Sequence, residues 1–274
     1  MPDAALAKVD SMRVKLEIWD KSNAVVTTAE AENRVVLVHA PEYQEGDKIV
    51  FSCGSPGFYL LRLDDAIALA LVYVHSRVEF TIPFERWERV RYSPRAFTGG
   101  MHLLTAEAAE SSLVAARRNL AFNPLDQHGT LGMWPHAVAN AETQQGSLFI
   151  ACNAIDGICA SNHHYPYPYQ SWGTNKDPNA ALTVEFGVPV TVDELVLTLR
   201  ADYPHDSHWI RGTVEFSDSS RETLTFEKSD QPQRFAISPR TVTSMTLKEL
   251  IKADDNSEFA ALRQIEAWGT IVLP

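Results

Sequence analysis

Two clusters of flat rings and hydrogen-bonding side chains mark the stretch 153–211 as the part of this chain best equipped for chemistry. The first holds His163, His164, Tyr165, Tyr167, Tyr169 and Trp172. Its middle alternates with proline (Tyr165-Pro166-Tyr167-Pro168-Tyr169), which stiffens the backbone and holds rings in place at little entropic cost. The second holds Arg200, Asp202, His205, Asp206, His208 and Trp209, at the end of an apolar run. Sugars present apolar C–H faces and polar rims, so a ring platform beside directional hydrogen-bond groups suits a glycan. The candidate ligand-binding residues of the first cluster are therefore His163, His164, Tyr165 and Tyr167, while the second cluster reads as either a surface turn or a polar pocket. A plainer reading stands beside this one: some of these rings plug one end of a sandwich, and Arg200 pairs with a neighbouring acid at the surface, worth little there. Imidazoles and carboxylates would also suit a transition metal, yet neither His163-His164 nor His205-x-x-His208 has a recognised ligand spacing.

These clusters need elements to carry them. Apolar runs at 181–186 and 194–201 read as strands leading to and from the two loops, which suits a β-sandwich with loops as its binding surface. Upstream, residues 12–19 alternate, with Val14, Leu16 and Ile18 on one side and Arg13, Lys15 and Glu17 on the other. Further strands are expected at 25–28, 34–39, 48–52, 58–63, 66–74 and 78–82, with turns between them. Residues 83–100 concentrate Arg86, Trp87, Arg89, Arg91, Tyr92 and Arg95. They read as a strand with one solvated face and Trp87 packed beneath, or as a second binding patch or interface. Residues 105–118 read as a short helix, 119–145 as a loop, and the remaining strands fall at 213–216, 223–226, 233–237, 244–250 and 264–268. The expected fold is all-β: two β-sandwich (jelly-roll) domains, 1–110 and 111–274.

The C-terminal half carries a resemblance. The ordered set Asn153-Ala154-Ile155-Asp156-Gly157, Ser171-Trp172, Leu182-x-Val184-x-Phe186-Gly187-x-Pro189-Val190, 214–220 (VEFSDSS) and Ile265-Glu266-Ala267-Trp268-Gly269 resembles the discoidin-like (coagulation factor C-type) galactose-binding fold, over roughly 119–271. Bacterial carbohydrate-binding modules also use that fold, and the whole chain resembles a group of uncharacterised two-domain bacterial carbohydrate-binding proteins. The resemblance implies lectin-like binding by loops at one end of the sandwich, which makes Arg200, Asp202, His205, His208 and Trp209 of the second cluster candidate ligand-binding residues, and a buried ring at Trp172. It also implies a structural calcium, with Asp156 and Glu266 at the matching positions. Calcium wants six to eight oxygens, several of them carbonyls of a tight loop, and the loop here is long and rich in Tyr and Pro.

Composition narrows the partners. The 274 residues are 45% hydrophobic and 22% charged, with 24 Lys+Arg against 35 Asp+Glu, a formal net charge of -11. That balance repels phosphate backbones and anionic bilayers, so neither nucleic acid nor membrane is expected as a partner. Residues 1–15 hold no apolar core of signal-peptide length, which reads as cytoplasmic unless the protein leaves by another route or a leader was trimmed. Cys53, Cys152 and Cys159 are too few for a disulfide framework; Cys152 and Cys159 either pair around the Asp-Gly turn or stay reduced as small core residues, and the reduced pair is the favoured reading. No nucleotide loop or nucleophile elbow appears. The expectation is a non-catalytic glycan-binding module. The alternatives are a homo-oligomeric assembly protein and a carbohydrate-active enzyme using His205, Asp206 or nearby carboxylates.

Overall fold

The computed structural model describes residues 12–130, 132–143, 146–160, 167–201 and 207–272, and within them the chain is almost entirely β. The first strands are β1 (Arg13–Trp19), β2 (Val25–Glu32), β3 (Arg34–His39) and β4 (Lys48–Cys53). Then come β5 (Gly57–Arg62), β6 (Ala70–Val74), β7 (Arg77–Thr81) and β8 (His102–Ala108). Two short helices interrupt the strands, α1 (Arg86–Arg89) and α2 (Ser111–Ala115). Among the described residues no helix is long and apolar enough to cross a membrane.

The period-two pattern decides which side chains face inward. In β1, Val14, Leu16 and Ile18 are fully buried; in β3, Val35 and Leu37 point in while Val36 and Val38 point out. A sheet of order β2-β1-β4-β7 packs against one formed by β6, β5, β8 and β3, and Leu16, Phe51, Tyr59, Val72 and Phe80 meet in their common core.

The rest of the chain supplies β9 (Arg118–Asn119), β10 (Met133–Trp134), β11 (His136–Ala139), a 3-10 helix (Ala151–Ile155) and β12 (Trp172–Gly173). These are followed by β13 (Leu182–Arg200), β14 (Trp209–Phe216), β15 (Arg221–Thr225), β16 (Gln233–Lys252) and β17 (Ala261–Ile271). Eight of these strands form one antiparallel sheet with the path β12-β17-β13-β16-β14-β15, β11 adding to β13 and β9 to β17. The expected runs 181–186 and 194–201 are two arms of the single strand β13. Its register against β16 shifts between Glu185 and Val190 and again between Val192 and Glu194. Both arms feed one core, which takes Val184 and Phe186 from the first and Leu195, Leu197 and Leu199 from the second.

Two glycines mark where backbones crowd. Gly187 has φ +76°, and a Cβ there would lie 2.6 Å from the Trp134 ring. Trp134 belongs to β10, which pairs with β6 of the N-terminal half, and Met133 and Leu125 join that half's core. Chain beyond residue 110 thus helps to build the first sandwich. Gly269 is tighter still, because a Cβ would run into the backbone carbonyl of Thr191 on the neighbouring strand.

Three local expectations change. Of 66–74 only Ala70–Val74 is strand, because the Asp64 carboxylate accepts from Ala66 N (2.8 Å) and from Phe97 N (2.8 Å) and holds a turn open before it. Residues 105–118 continue β8 before the short α2. In 83–100 the structure has α1 in place of a strand, with Trp87 49% exposed and the Arg86 guanidinium 5.4 Å from its ring centre.

Gly269→Ala should cost about 1–3 kcal/mol in urea unfolding, the scale of overpacking a core, because the obstruction is backbone. A variant as stable as wild type would show that β13 and β17 separate more easily than their register implies.

Candidate ligand-binding site

A 3-10 turn and a left-handed glycine lead into the first ring cluster. Residues Ala151–Ile155 wind into the 3-10 helix, Asp156 ends it, and Gly157 turns at φ +85°, so the Asp-Gly turn expected from sequence forms. The Asp156 carboxyl therefore faces inward and is 7% exposed. Its Oδ1 accepts from Ile158 N (2.8 Å) and Gln264 Nε2 (2.8 Å), and its Oδ2 accepts from Gln170 Nε2 (3.0 Å). Gln264, on β17, also accepts from Gly157 N (2.9 Å) and donates to Asn153 O (2.7 Å). Burial pushes the Asp156 pKa up to about 6, against the pull of Arg91 and of these hydrogen bonds.

Arg91 comes from the N-terminal half, two residues after α1. It is 4% exposed, and its Nη1 donates to Asp126 O (3.0 Å) and to Cys152 Sγ (2.7 Å). Its Nε and Nη2 are buried without a hydrogen-bond partner. Burial works against the Arg91 charge, but Cys152, Tyr92, Asp156 and Asp126 outweigh it and hold its pKa above the ordinary arginine value. Behind it the Asp126 carboxylate accepts from Ala137 N (2.9 Å) and lies 2.6 Å from His136 Nδ1. Burial pushes the Cys152 thiol up to about 12, so it stays protonated and inert.

Arg91, Asp156 and Gln170 line a cavity of about 60 Å³ where the two halves meet. Arg91, Tyr92 and Ser93 form its wall from the first half; Asp156, Tyr167 and Gln170 form it from the second. Ala66, Ile67, Pro124 and Ile158 add apolar surface. Sequence reasoning missed Arg91, Tyr92 and Gln170 as members of one site. The visible sign was the arginine-rich segment 83–100, but nothing in its spacing tells which arginine turns inward.

The structure treats the expected site residues differently. Tyr167 is half-buried and lines the cavity. His208 is half-buried and accepts from Ala253 N through its carbonyl. Arg200 is 2% exposed, with its guanidinium 3.5 Å from the Tyr169 ring centre and its Nη1 on Tyr169 O (3.0 Å). That corrects the expectation of a surface group: Arg200 sits in the interior and braces the first loop. Trp209 is 4% exposed and packs on Trp172, ring centres 6.1 Å apart, so it offers no face to a ligand. Its neighbours Ile210 and Arg211 are both exposed, and the register of β14 against β16 shifts between Trp209 and Arg211. Trp172 is fully buried, as the resemblance implies. His163, His164, Tyr165, Asp202, His205 and Asp206 lie outside the described residues.

The residues around Asp156 do not fit calcium. Both carboxylate oxygens already accept from N–H donors, which a cation would have to displace. Glu266, the other expected ligand, accepts from Trp268 Nε1 (2.6 Å). Among the described residues no three His, Cys, Asp or Glu side chains gather to hold a metal. Asp255, in the acidic loop 254–257, accepts from Ser257 N (3.1 Å) and Ser207 Oγ (3.0 Å) and pairs with Lys252 (2.7 Å), a turn cap. All three cysteines are free.

No protein-family model matches the chain, and no curated protein matches it. Chitosan-binding module 1 of the chitosanase/glucanase from Paenibacillus sp. IK-5 aligns with 56% of this chain and 99% of its own at 19% identity and a TM-score of 0.39. The lectin domain of lectinolysin, complexed with Lewis B antigen, aligns with 56% of this chain and 97% of its own at 14% identity and a TM-score of 0.42. The family 32 carbohydrate-binding module of C. perfringens NanJ, in complex with galactose, aligns with 48% of this chain and 91% of its own at 17% identity and a TM-score of 0.37. At these identities and TM-scores the likenesses carry no ligand, site or membership over to this chain.

The raised Asp156 pKa has a stability sign. Its folded value of about 6 lies above the ordinary 3.8, so its contribution is fully present below pH 3.8 and is lost as pH rises through 6. Wild type should therefore lose on the order of 2–3 kcal/mol relative to Asp156→Asn between about pH 4 and pH 7. Parallel pH–stability curves would contradict the burial of that carboxyl. Calcium added after chelation should leave the thermal midpoint unchanged, whereas a clear rise would mean that Asp156 releases its glutamine donors for the ion.

Proposed function

We propose that the protein binds a carbohydrate without turning it over, at the cavity between its two halves. The observation that carries this reading is the pairing, in one recess, of fixed hydrogen-bond groups with phenol rings. Asp156, Gln170 and Ser93 supply acceptors and donors, and Tyr92 and Tyr167 stand beside them. Hydroxyl-rich ligands need that combination, and a few fixed polar groups in a partly apolar recess set their orientation. The sequence resemblance to discoidin-like galactose-binding modules supports the same class of ligand.

Binding fits the chemistry better than turnover does. A glycosidase flanks the scissile bond with a carboxylate pair, and Asp156 is the one carboxyl among the described lining residues. Its oxygens are held by three N–H donors, which suits a fixed acceptor. A proton donor reaching for a glycosidic oxygen needs a freer one.

Self-association is the second reading, and the outer face of β3 and β8 favours it. Val38 (54% exposed) and Leu103 (37%) are cross-strand partners there, with Val36 (48%) and Met101 (69%) nearby.

A glycan array followed by calorimetry should find a saturable sugar ligand and no released product, with affinity reduced about tenfold or more by Tyr167→Ala or Gln170→Ala. Absence of any sugar ligand, together with a mass that grows with concentration in light scattering, would favour assembly and overturn the binding reading.

A further inference from the structure

We infer that the corner of the first sandwich where β3 meets β8 is an acid-released latch with His39 as its trigger. The neutral His39 ring, stacked with Tyr43 and His102, clamps the turn 97–101, and the charged ring lets it go. His39 closes β3, His102 opens β8, and the two are direct cross-strand partners. Tyr43, from the loop between β3 and β4, lies nearly parallel to both, its ring centre 5.1 Å from His39 and 4.1 Å from His102. The two imidazoles are 6.2 Å apart, and all three side chains are buried. The latch is independent of what the cavity binds.

The clamped turn is strained. Phe97 (φ +56°), Gly99 (φ +71°) and Met101 (φ +66°) all have left-handed backbone, which is unfavourable for Phe and Met. Three contacts hold it in place. Asp64 Oδ2 accepts from Phe97 N (2.8 Å), Ala40 O accepts from Met101 N (3.1 Å), and Gly99 O accepts from His102 Nε2 (2.7 Å).

His39 is badly placed to carry a charge. Its Nδ1 lies 2.8 Å from Thr27 Oγ1, and among the described residues no hydrogen bond reaches its Nε2. Asp47 draws it toward the charged form, but Asp47 Oδ2 already accepts from Gln44 N (2.7 Å). Burial, and after it His102, work the other way and hold His39 below the ordinary imidazole value of 6.5. Tyr43 gives no help: its hydroxyl is buried without a hydrogen-bond partner, and burial, Asp64 and Asp47 keep it protonated. A histidine that resists protonation only in the folded state contributes fully above pH 6.5, and that contribution is lost as pH falls below it. Reaching water takes the His39 ring off Tyr43 and slackens Ala40, the next residue, whose carbonyl holds Met101 N.

The turn leads to the cavity. Phe97 makes edge contacts with Tyr43 (ring centres 6.3 Å apart) and Tyr92 (5.7 Å), and Asp64 holds both Phe97 N and Ala66 N. Tyr92 and Ala66 line the recess, so release at the end of β3 loosens its first-half wall. Asp156 and His136 titrate with the opposite sign: both are held above their ordinary values and contribute more as pH falls.

Hydrogen exchange of the full chain, compared at pH 7 and pH 5 after correction for the intrinsic rate, tests the latch. Protection of Phe97 and Met101 should fall about tenfold or more, the worth of one pKa unit, while Leu197 in the second core keeps its own. His39→Gln, which leaves Thr27 a polar partner and carries no charge, should abolish that fall. If the variant does not fold, the Cε1–H signal of His39 in the wild type decides: it should titrate below 6.5, together with the ring signals of Tyr43. Equal loss at Leu197 would mean global unfolding, and a fall that persists in His39→Gln would mean another trigger; either overturns the latch. Unchanged protection, or a His39 signal that titrates at its ordinary value, overturns it as well.

Discussion

A guanidinium taken out of water is the constraint around which the junction of this protein is arranged. Arg91 leaves the N-terminal half and enters a nest built by the C-terminal half, against the Asp126 carbonyl, the Cys152 sulfur and, nearby, the Asp156 carboxyl. Stripping such a charge of water costs several kcal/mol unless its surroundings replace that water. The replacement requires the 3-10 turn that places Cys152 and Asp156, and the loop that brings Asp126 to β11 through Ala137 N. Gln170 and Gln264 then hold Asp156. The two halves are thus joined by polar chemistry at the cavity, and by Trp134 reaching from the β6 edge to Gly187.

The same arrangement separates rings that support from rings that can meet a ligand. Trp172, Trp209 and Tyr169 are interior, with Arg200 stacked on Tyr169 to stiffen the loop behind the cavity. Tyr167 and Tyr92 stand at the recess itself. A proline-spaced run of tyrosines thus divides: Tyr169 is buried, and Tyr167 is half-buried at the cavity.

Much of the fold was legible in the sequence because it rests on period-two burial. Val14-Leu16-Ile18, Val35-Leu37 and Leu182-Val184-Phe186 announce their strands and inner faces, and Asp156-Gly157 announces its turn. The arginine-rich segment is where this logic fails. Trp87 and Arg91 are four residues apart, and the larger apolar side chain lies outside while the charged one lies inside. Burial there is set by partners more than thirty residues away, Asp126 and Cys152, which no local pattern reveals. Trp209 shows the converse: chemistry marked it as a ligand platform, whereas its place in β14 turns it into the core. Asp156 was legible as a special residue and expected as a calcium ligand, and only the fold shows its oxygens accepting from Gln170, Gln264 and Ile158.

The most direct test of the junction as the working part of this molecule is a crystal structure of the protein grown with a saturating concentration of the sugar that a glycan array selects. The account predicts sugar density at the cavity mouth beside Tyr167. Density on another face of either sandwich would contradict it.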